Sequence, residues 1–477
     1  LGGARPSATP FVTMTGMATN DQFGVSVAGA GDVNGDGFAD VIVGARLSSL
    51  AANSAGAAFV YFGGPAMDGS PDVVLPGELA NDWFGNSVAG AGDVNGDGYA
   101  DVVVGAPYND RGGSAAGAAY VFHGGPPLDN GPDVILVGEM HDDHFGWSVA
   151  GAGDVDGDGR SDVLVGARLH CVDLLLCAGA SYARGRAYVY RGGWPMDATP
   201  DVVLDGDAAD DWFGNTVAGI GDINGDGRAD VAVGAIFADP VVGGTVLSAA
   251  GTTSIYFGGS PMDAARDAFL PGEQTNSQSG WAIAPGGDVD GDGRADFWTT
   301  AHFYDDGVNT GAGKIYLFQG GPRIGPLPRA TAVGEGQGGQ LGQSVGGGDV
   351  AGVGGLSDGI AGQVYSRDAG PGSGKALVLS PFCVGLNLDA TGIFWSACDP
   401  FDSFNLYRGS VRSNLPLGSY GTCALPGLPG YSVPLGTALP ALGDAFFYLI
   451  TGRTPVLEGA LGFDSSGALR RNASPCP

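Results

Sequence analysis

A nine-residue acidic loop, Asp-x-(Asn/Asp)-Gly-Asp-Gly-x-x-Asp, is written five times along this chain of 477 residues. The copies run from Asp32 to Asp40, Asp93 to Asp101, Asp154 to Asp162, Asp222 to Asp230 and Asp288 to Asp296. Their first aspartates stand 61, 61, 68 and 66 residues apart. A sixth, degraded copy begins at Asp349, another 61 residues on, with Ala351 and Val353 in place of ligand-type residues and one residue inserted before Asp358. Self-similarity at such a period means one supersecondary unit stacked on its own copies, which excludes most ordinary single-domain folds.

The residues around each loop say what the unit is. Phe-Gly and a run of small residues precede it, as in Phe84 to Gly92, and a β-branched run such as Val102-Val-Val104 follows. Next come an aromatic segment ending in Gly-Gly (Ala119 to Gly125) and a last apolar run (Asp133 to Gly138). Four short strands per repeat, joined by Gly-rich turns, predict a β-propeller with one sheet per repeat around an axis. The loop then joins the first two strands, and its ninth residue opens the second.

The loop chemistry suits a hard cation. Calcium takes six to eight oxygens, and the motif offers side-chain oxygens at positions 1, 3, 5 and 9 with a backbone carbonyl at position 7. Its glycines let the backbone curl tightly enough to aim them at one point. An EF-hand is excluded, because that loop needs a Glu at position 12, where this chain has Val43, Val104, Val165, Val233 and Thr299. A single copy would read as a solvated Asp/Asn/Gly turn. Five copies, each with three or four carboxylates in nine residues, would repel strongly without a counter-ion. Five calcium sites are therefore expected. Their ligands are Asp32, Asn34, Asp36 and Asp40 with the Phe38 carbonyl; Asp93, Asn95, Asp97 and Asp101 with that of Tyr99; Asp154, Asp156, Asp158 and Asp162 with that of Arg160; Asp222, Asn224, Asp226 and Asp230 with that of Arg228; and Asp288, Asp290, Asp292 and Asp296 with that of Arg294. The sixth loop is expected to hold no metal.

The combination resembles the FG-GAP repeats of integrin α-subunit propellers and their bacterial relatives over about residues 11–380. Phe23-Gly24, Phe84-Gly85, Phe145-Gly146 and Phe213-Gly214 carry the resemblance, with Gly44-Ala45, Gly105-Ala106-Pro107, Gly166-Ala167 and Gly234-Ala235. The fifth repeat departs from it at Ser279-Gly280 and Thr299-Thr-Ala301, and the sixth at Leu341-Gly342 and in its broken loop. Integrin propellers have seven blades, whereas six repeats are counted here.

The chain ends bear on that count. The sixth repeat stops after its third strand, Gly374 to Ser380, while Phe11 to Gly16 aligns with Asp72 to Gly77, again 61 residues on. The N-terminal segment is thus expected to supply the missing fourth strand and close a six-bladed ring, removing an exposed sheet edge. In the rival arrangement that strand is donated to a neighbouring molecule, which gives a polymer. The expected fold is all-β: a six-bladed calcium-binding propeller over 1–381, with seven blades as the alternative, then a small β-sandwich over 382–477.

The last segment breaks the repeat and carries four of the six Cys. Its apolar runs, Gly385 to Leu388, Gly392 to Trp395, Phe404 to Tyr407 and Ala445 to Ile450, are separated by turn residues, as in a sandwich. It loosely resembles the fibronectin-type-III-like modules of secreted bacterial proteins. Cys383 with Cys398 across a hairpin at residues 390 and 391, Cys423 with Cys476, and Cys171 with Cys177 are one of fifteen connectivities that six Cys allow.

Charge limits the partners. The net charge is −30, with 51 acidic against 21 basic residues, and 17 of the acids lie in the five loops. Even after ten charges from five Ca²⁺ the chain remains too negative for nucleic acid or an anionic membrane surface. It has no apolar run long enough for a membrane helix. Starting at Leu1, it reads as a mature form whose leader has been removed, and calcium-filled loops of modest affinity fit the outside of a cell. A secreted or cell-surface location is expected.

No catalytic motif stands out. The chain lacks a phosphate-cradling Gly-Lys-Ser/Thr loop. His141-Asp-Asp-His144 is read as a solvated loop variant, and Trp83 and Trp212, at one repeat position, as packing between blades. The expectation is a non-enzymatic binding or adhesion protein for an unknown protein or glycan, or copies of itself. Its partner surface would be built on the insertions Leu169 to Ser181 and Ile236 to Ala250, opposite the calcium turns. The alternative is a structural subunit of an extracellular fibre or coat.

Overall fold

Every repeat folds into one antiparallel sheet whose strands fall on the apolar runs. The second is representative: Ser87–Gly92, Asp101–Ala106, Ala118–Phe122 and Val134–Val137 pair in sequence order. The computed structural model describes residues 12–171, 183–348, 358–363 and 365, and the backbone of strands from 375–379 to 445–453. Within these residues every helix or strand assignment is a strand. Sheets of four strands, again in sequence order, begin at Phe23–Gly31, Phe145–Gly153, Phe213–Gly221 and Ser279–Gly287. The sixth sheet has three described strands, Leu341–Gly348, Asp358–Gln363 and Lys375–Leu379.

The core lies between consecutive sheets. Ile42, Val60 and Leu75 of the first sheet pack with Phe84, Val104 and Tyr120 of the second. The same layer recurs at the next junctions, as with Leu136, Phe145 and Tyr188 and with Leu204, Phe213 and Tyr256. Fully burying one such side chain stabilises by about 1.5–3 kcal/mol, so each sheet is stable only with its neighbours. This is the β-propeller arrangement.

Backbone contacts lock the layers together. A parallel bridge joins Gly56 to Phe84, and its counterparts join Gly117 to Phe145, Gly185 to Phe213, Gly251 to Ser279 and Gly313 to Leu341. Phe84 N donates to Ala55 O at 2.9 Å and Phe145 N to Ala116 O at 2.9 Å. At Gly105 a Cβ would overlap the carbonyl of Gly146 in the next sheet, and at Gly166 that of Gly214. The fifth repeat has Thr300 at this position, and its hydroxyl donates to the Gly342 carbonyl at 2.7 Å.

The first sheet differs in one respect. Val27 is 65% exposed, whereas Val88, Val149 and Val217 at the same repeat position are 4–5% exposed. Residues 12–16 carry no strand assignment. Met14 nevertheless packs against Val43, Phe59 and Tyr61 of the first sheet, the place that Leu75, 61 residues on, takes on the second.

The insertion of the fourth repeat forms an exposed hairpin, Val241–Val242 against Thr245–Val246. Residues 172–182 of the other insertion, Phe11 and the degraded loop at 349–357 lie outside the described residues.

Residues Ser380–Pro477 form a separate unit. It contains two antiparallel three-stranded sheets, one of Leu386–Leu388, Gly392–Trp395 and Ser432–Pro434 and one of Thr422–Leu428, Ser403–Val411 and Ala445–Arg453. Leu388 pairs with Ile393, and the expected turn at 390 and 391 lies outside the described residues. Its cysteine side chains lie outside the described residues, as does Cys177; Cys171 is not a free thiol.

Candidate metal centres

The acidic loops sit at one end of the sheets, between first and second strands. Position 1 organises each. Asp93 Oδ1 accepts from Gly96 N at 2.7 Å and Asp97 N at 3.0 Å, and Oδ2 from Gly98 N at 2.8 Å. Asp32, Asp154, Asp222 and Asp288 repeat the pattern. Asn95 Oδ1 at position 3 accepts from Asp97 N at 2.8 Å. Backbone donors thus turn the carboxylates toward one another, which costs repulsion unless a cation offsets it.

Position 9 is both first residue of the second strand and a buried pin. Asp101 Oδ2 accepts from Val94 N at 2.8 Å and Oδ1 from Gly124 N at 2.7 Å, tying the loop to the end of the third strand. Asp40, Asp162, Asp230 and Asp296 do the same. Burial raises their pKa values, and neighbouring loop carboxylates add to it against the opposing backbone N–H groups. Asp101 and Asp296 reach about 6, and Asp162 and Asp230 about 7.

In the third and fifth repeats position 3 is Asp, and oxygens of Asp154, Asp156 and Asp162, and of Asp288, Asp290 and Asp296, lie within 4.8 Å of one another. These acidic clusters can hold a divalent cation. Position 5 stands outside the two groups: Asp158 and Asp292 pair with Arg160 and Arg294 at 3.0 Å. The extra carboxylate has its own partner: Arg191 forms an ion pair with Asp156, Nε at 3.1 Å, and the Gln319 amide donates to Asp290. The position-7 carbonyls of Phe38, Tyr99, Arg160, Arg228 and Arg294 accept no backbone hydrogen bond among the described residues, so each is free for a cation.

The loops also couple to one another. Asp32 O accepts from Ala100 N at 3.1 Å and Val33 O from Gly125 N at 2.8 Å, both in the next repeat, and the later junctions repeat this. Whatever orders one loop therefore stiffens the seam to its neighbour.

At the opposite end, one sequence expectation needs correcting. His144 is buried rather than solvated, its ring 4.6 Å from that of Tyr108 and 6.1 Å from Trp147. Burial, helped by Arg168, lowers its pKa to about 4, so the imidazole is neutral. His141 is exposed beside Asp142 at 3.3 Å, and the two histidines form no metal pair. Trp83 meets Tyr108 of its own sheet and the Arg46 guanidinium of the preceding one. Trp212 meets Phe237 and Arg168 in the same way.

Sheets built around paired Phe-Gly and acidic turns define an FG-GAP β-propeller. The FG-GAP repeat family is matched by residues 23–61, 84–122, 145–190, 213–256 and 279–318. The chain is an FG-GAP repeat protein, and its repeats are similar to those of integrin α-subunits. It is 36% identical to integrin alpha-5 of Xenopus laevis over 155 residues, covering 30% of this chain and 14% of that protein. Over 204 residues it is 36% identical to integrin alpha-IIb of Mus musculus, covering 41% and 18%. Against integrin alpha-PS2 of Drosophila melanogaster the identity is 35% over 169 residues, covering 32% and 12%. The matched region thus spans less than a fifth of each relative.

Proposed function

We propose that the chain is an extracellular, non-enzymatic binding or adhesion protein whose propeller is stapled by five calcium ions. The observation that carries this reading is the loop itself, repeated five times with a buried position-9 carboxyl raised in pKa, beside further carboxylates that converge within 4.8 Å in the third and fifth repeats. A cation there offsets repulsion and holds two strands and the next repeat together, so the metal serves the architecture. The similarity to integrin α-subunits supports adhesion as the role of the ring. Binding of the secreted protein to matrix-protein and glycan arrays tests this. We expect saturable signals in millimolar calcium that fall about tenfold or more in chelator; arrays blank under both conditions would defeat the reading.

A second reading, a subunit of an extracellular fibre, is favoured by one observation: Val27 of the first sheet is exposed where its counterparts are covered. Within 1–381, closure of a six-bladed ring by residues 11–16 is the intramolecular alternative, and 382–477 is the sandwich. A monodisperse monomer in size-exclusion chromatography, together with unfolding on removal of residues 1–17, is expected for closure. Concentration-dependent polymers that vanish on the same truncation would establish the fibre.

A further inference from the structure

Beyond the metal loops, at the opposite end of the sheets, all six repeats contribute to a cavity of about 750 Å³. Val25, Asn86, Trp147, Asn215, Trp281 and Gln343, two residues past the start of each repeat's Phe-Gly position, all line it. Its size suits a ligand rather than a packing fault. Its charge is the reverse of the molecule's. Among the described residues Arg46 and Arg168 face it and no carboxylate does, in a chain of net charge −30.

Arg168 is the unusual member. Its guanidinium carbon lies 3.1 Å from the Trp147 ring centroid and 4.5 Å from that of Trp212. Its Nε is buried without a partner, and among the described residues the side chain forms no ion pair. Arg46 is held by neutral amides, donating from Nε to Gln22 Oε1 at 2.6 Å and from Nη1 to Asn86 Oδ1 at 3.0 Å. A guanidinium carries five donors in a planar fork that matches a carboxylate. Leaving such a fork desolvated without an anion is costly, so the pair is poised to accept one.

We infer that this axial cavity binds an acidic side chain of a partner polypeptide, its carboxylate gripped by Arg168 with Arg46 and its stem lying on Trp212, Trp281 and Phe237. Charge complementarity selects the carboxylate. The aromatic walls and a volume larger than one acidic side chain select a residue carried on a polypeptide over a free small anion. The inference rests on the binding-module reading above and names the chemistry that module recognises.

The test uses the full calcium-loaded chain and follows intrinsic tryptophan fluorescence, since Trp147 and Trp212 flank Arg168. The probes are acetyl-Gly-Gly-Glu-Gly-Gly-amide, its Gln counterpart and free glutarate. We expect the Glu peptide to bind with a Kd on the order of 1 mM and the Gln peptide about tenfold more weakly. Arg168→Gln should weaken the Glu peptide at least about tenfold and Arg46→Gln about threefold. Equal binding of the Glu and Gln peptides, or an Arg168→Gln protein that binds normally, would overturn the inference. Glutarate binding as tightly as the peptide would overturn the polypeptide assignment. If Arg168→Gln does not fold, Arg46→Gln and the Glu-to-Gln ratio on the unaltered protein decide. Failure of the probes with calcium-dependent array binding intact removes this inference alone, whereas loss of both removes the binding-module reading as well.

Discussion

Transfer from millimolar calcium into chelator is expected to lower the melting temperature by about 10 °C or more. A ligand bound only to the folded state at a hundred times its Kd adds about 2.7 kcal/mol per site, and a domain of 150–250 residues shifts by about 2–4 °C per kcal/mol. Five sites acting together exceed that threshold comfortably even if the larger propeller is less sensitive. Asp36→Ala should remove about one site's share. The effect also has a direction with pH. Without metal, burial raises the position-9 carboxyls above their unfolded value near 4, those of Asp101, Asp162, Asp230 and Asp296 to about 6 to 7. Their contribution to the metal-free protein is therefore present at low pH and lost as pH rises through that range. Calcium must also displace those protons. The gap between calcium and chelator should thus be widest above pH 7 and narrow toward pH 5. Differential scanning calorimetry in both buffers checks this, and superimposed melting curves at pH 7.5 would exclude calcium as a structural element.

The second large effect is expected from Gly105→Ala. The added Cβ would collide with the Gly146 carbonyl across the seam between sheets, and a backbone atom of a packed strand cannot step aside. Overpacking costs about 1–3 kcal/mol and occasionally more. Because the clash is with backbone, about 3 kcal/mol or more is expected. Thr300 shows the one solution the chain uses, a junction spaced so that its hydroxyl bonds the Gly342 carbonyl. Alanine supplies neither the room nor the hydroxyl. Gly325→Ala is the control, since nothing lies within 4 Å of its Cβ, and it should change stability by less than about 0.5 kcal/mol. A urea denaturation series in which both variants match the parent would contradict the seam described here.

The acidic loops were legible because their carboxylates are local. Nine consecutive residues hold nearly everything the site needs, so motif and spacing identified the carboxylates, and the period located the strands around them. His144 was misread because its sequence neighbours, Asp142 and Asp143, are polar and suggest solvent. Of the rings packed on it, Trp147 is local, but Tyr108 belongs to the preceding repeat and only sheet stacking brings it near. The pinning role of position 9 was not legible, since its partners Gly63, Gly124, Gly192, Gly258 and Gly320 lie 23 to 30 residues away.

The axial cavity left no such signal. Arg46 and Arg168 each follow a Gly-Ala pair at one repeat position, where other repeats place Pro107, Ile236 and His302; read along the chain they are two unremarked basic residues. By itself the sequence determined the repeat, its strands and its acidic turns, because those depend on contacts within one unit and on a period that must match itself. Only the tertiary structure decided that six distant positions line one cavity and that, among the described residues, two guanidinium groups face it without a carboxylate. That arrangement depends on how sheets stack around a centre, and stacking is set by side chains on faces that belong to different repeats.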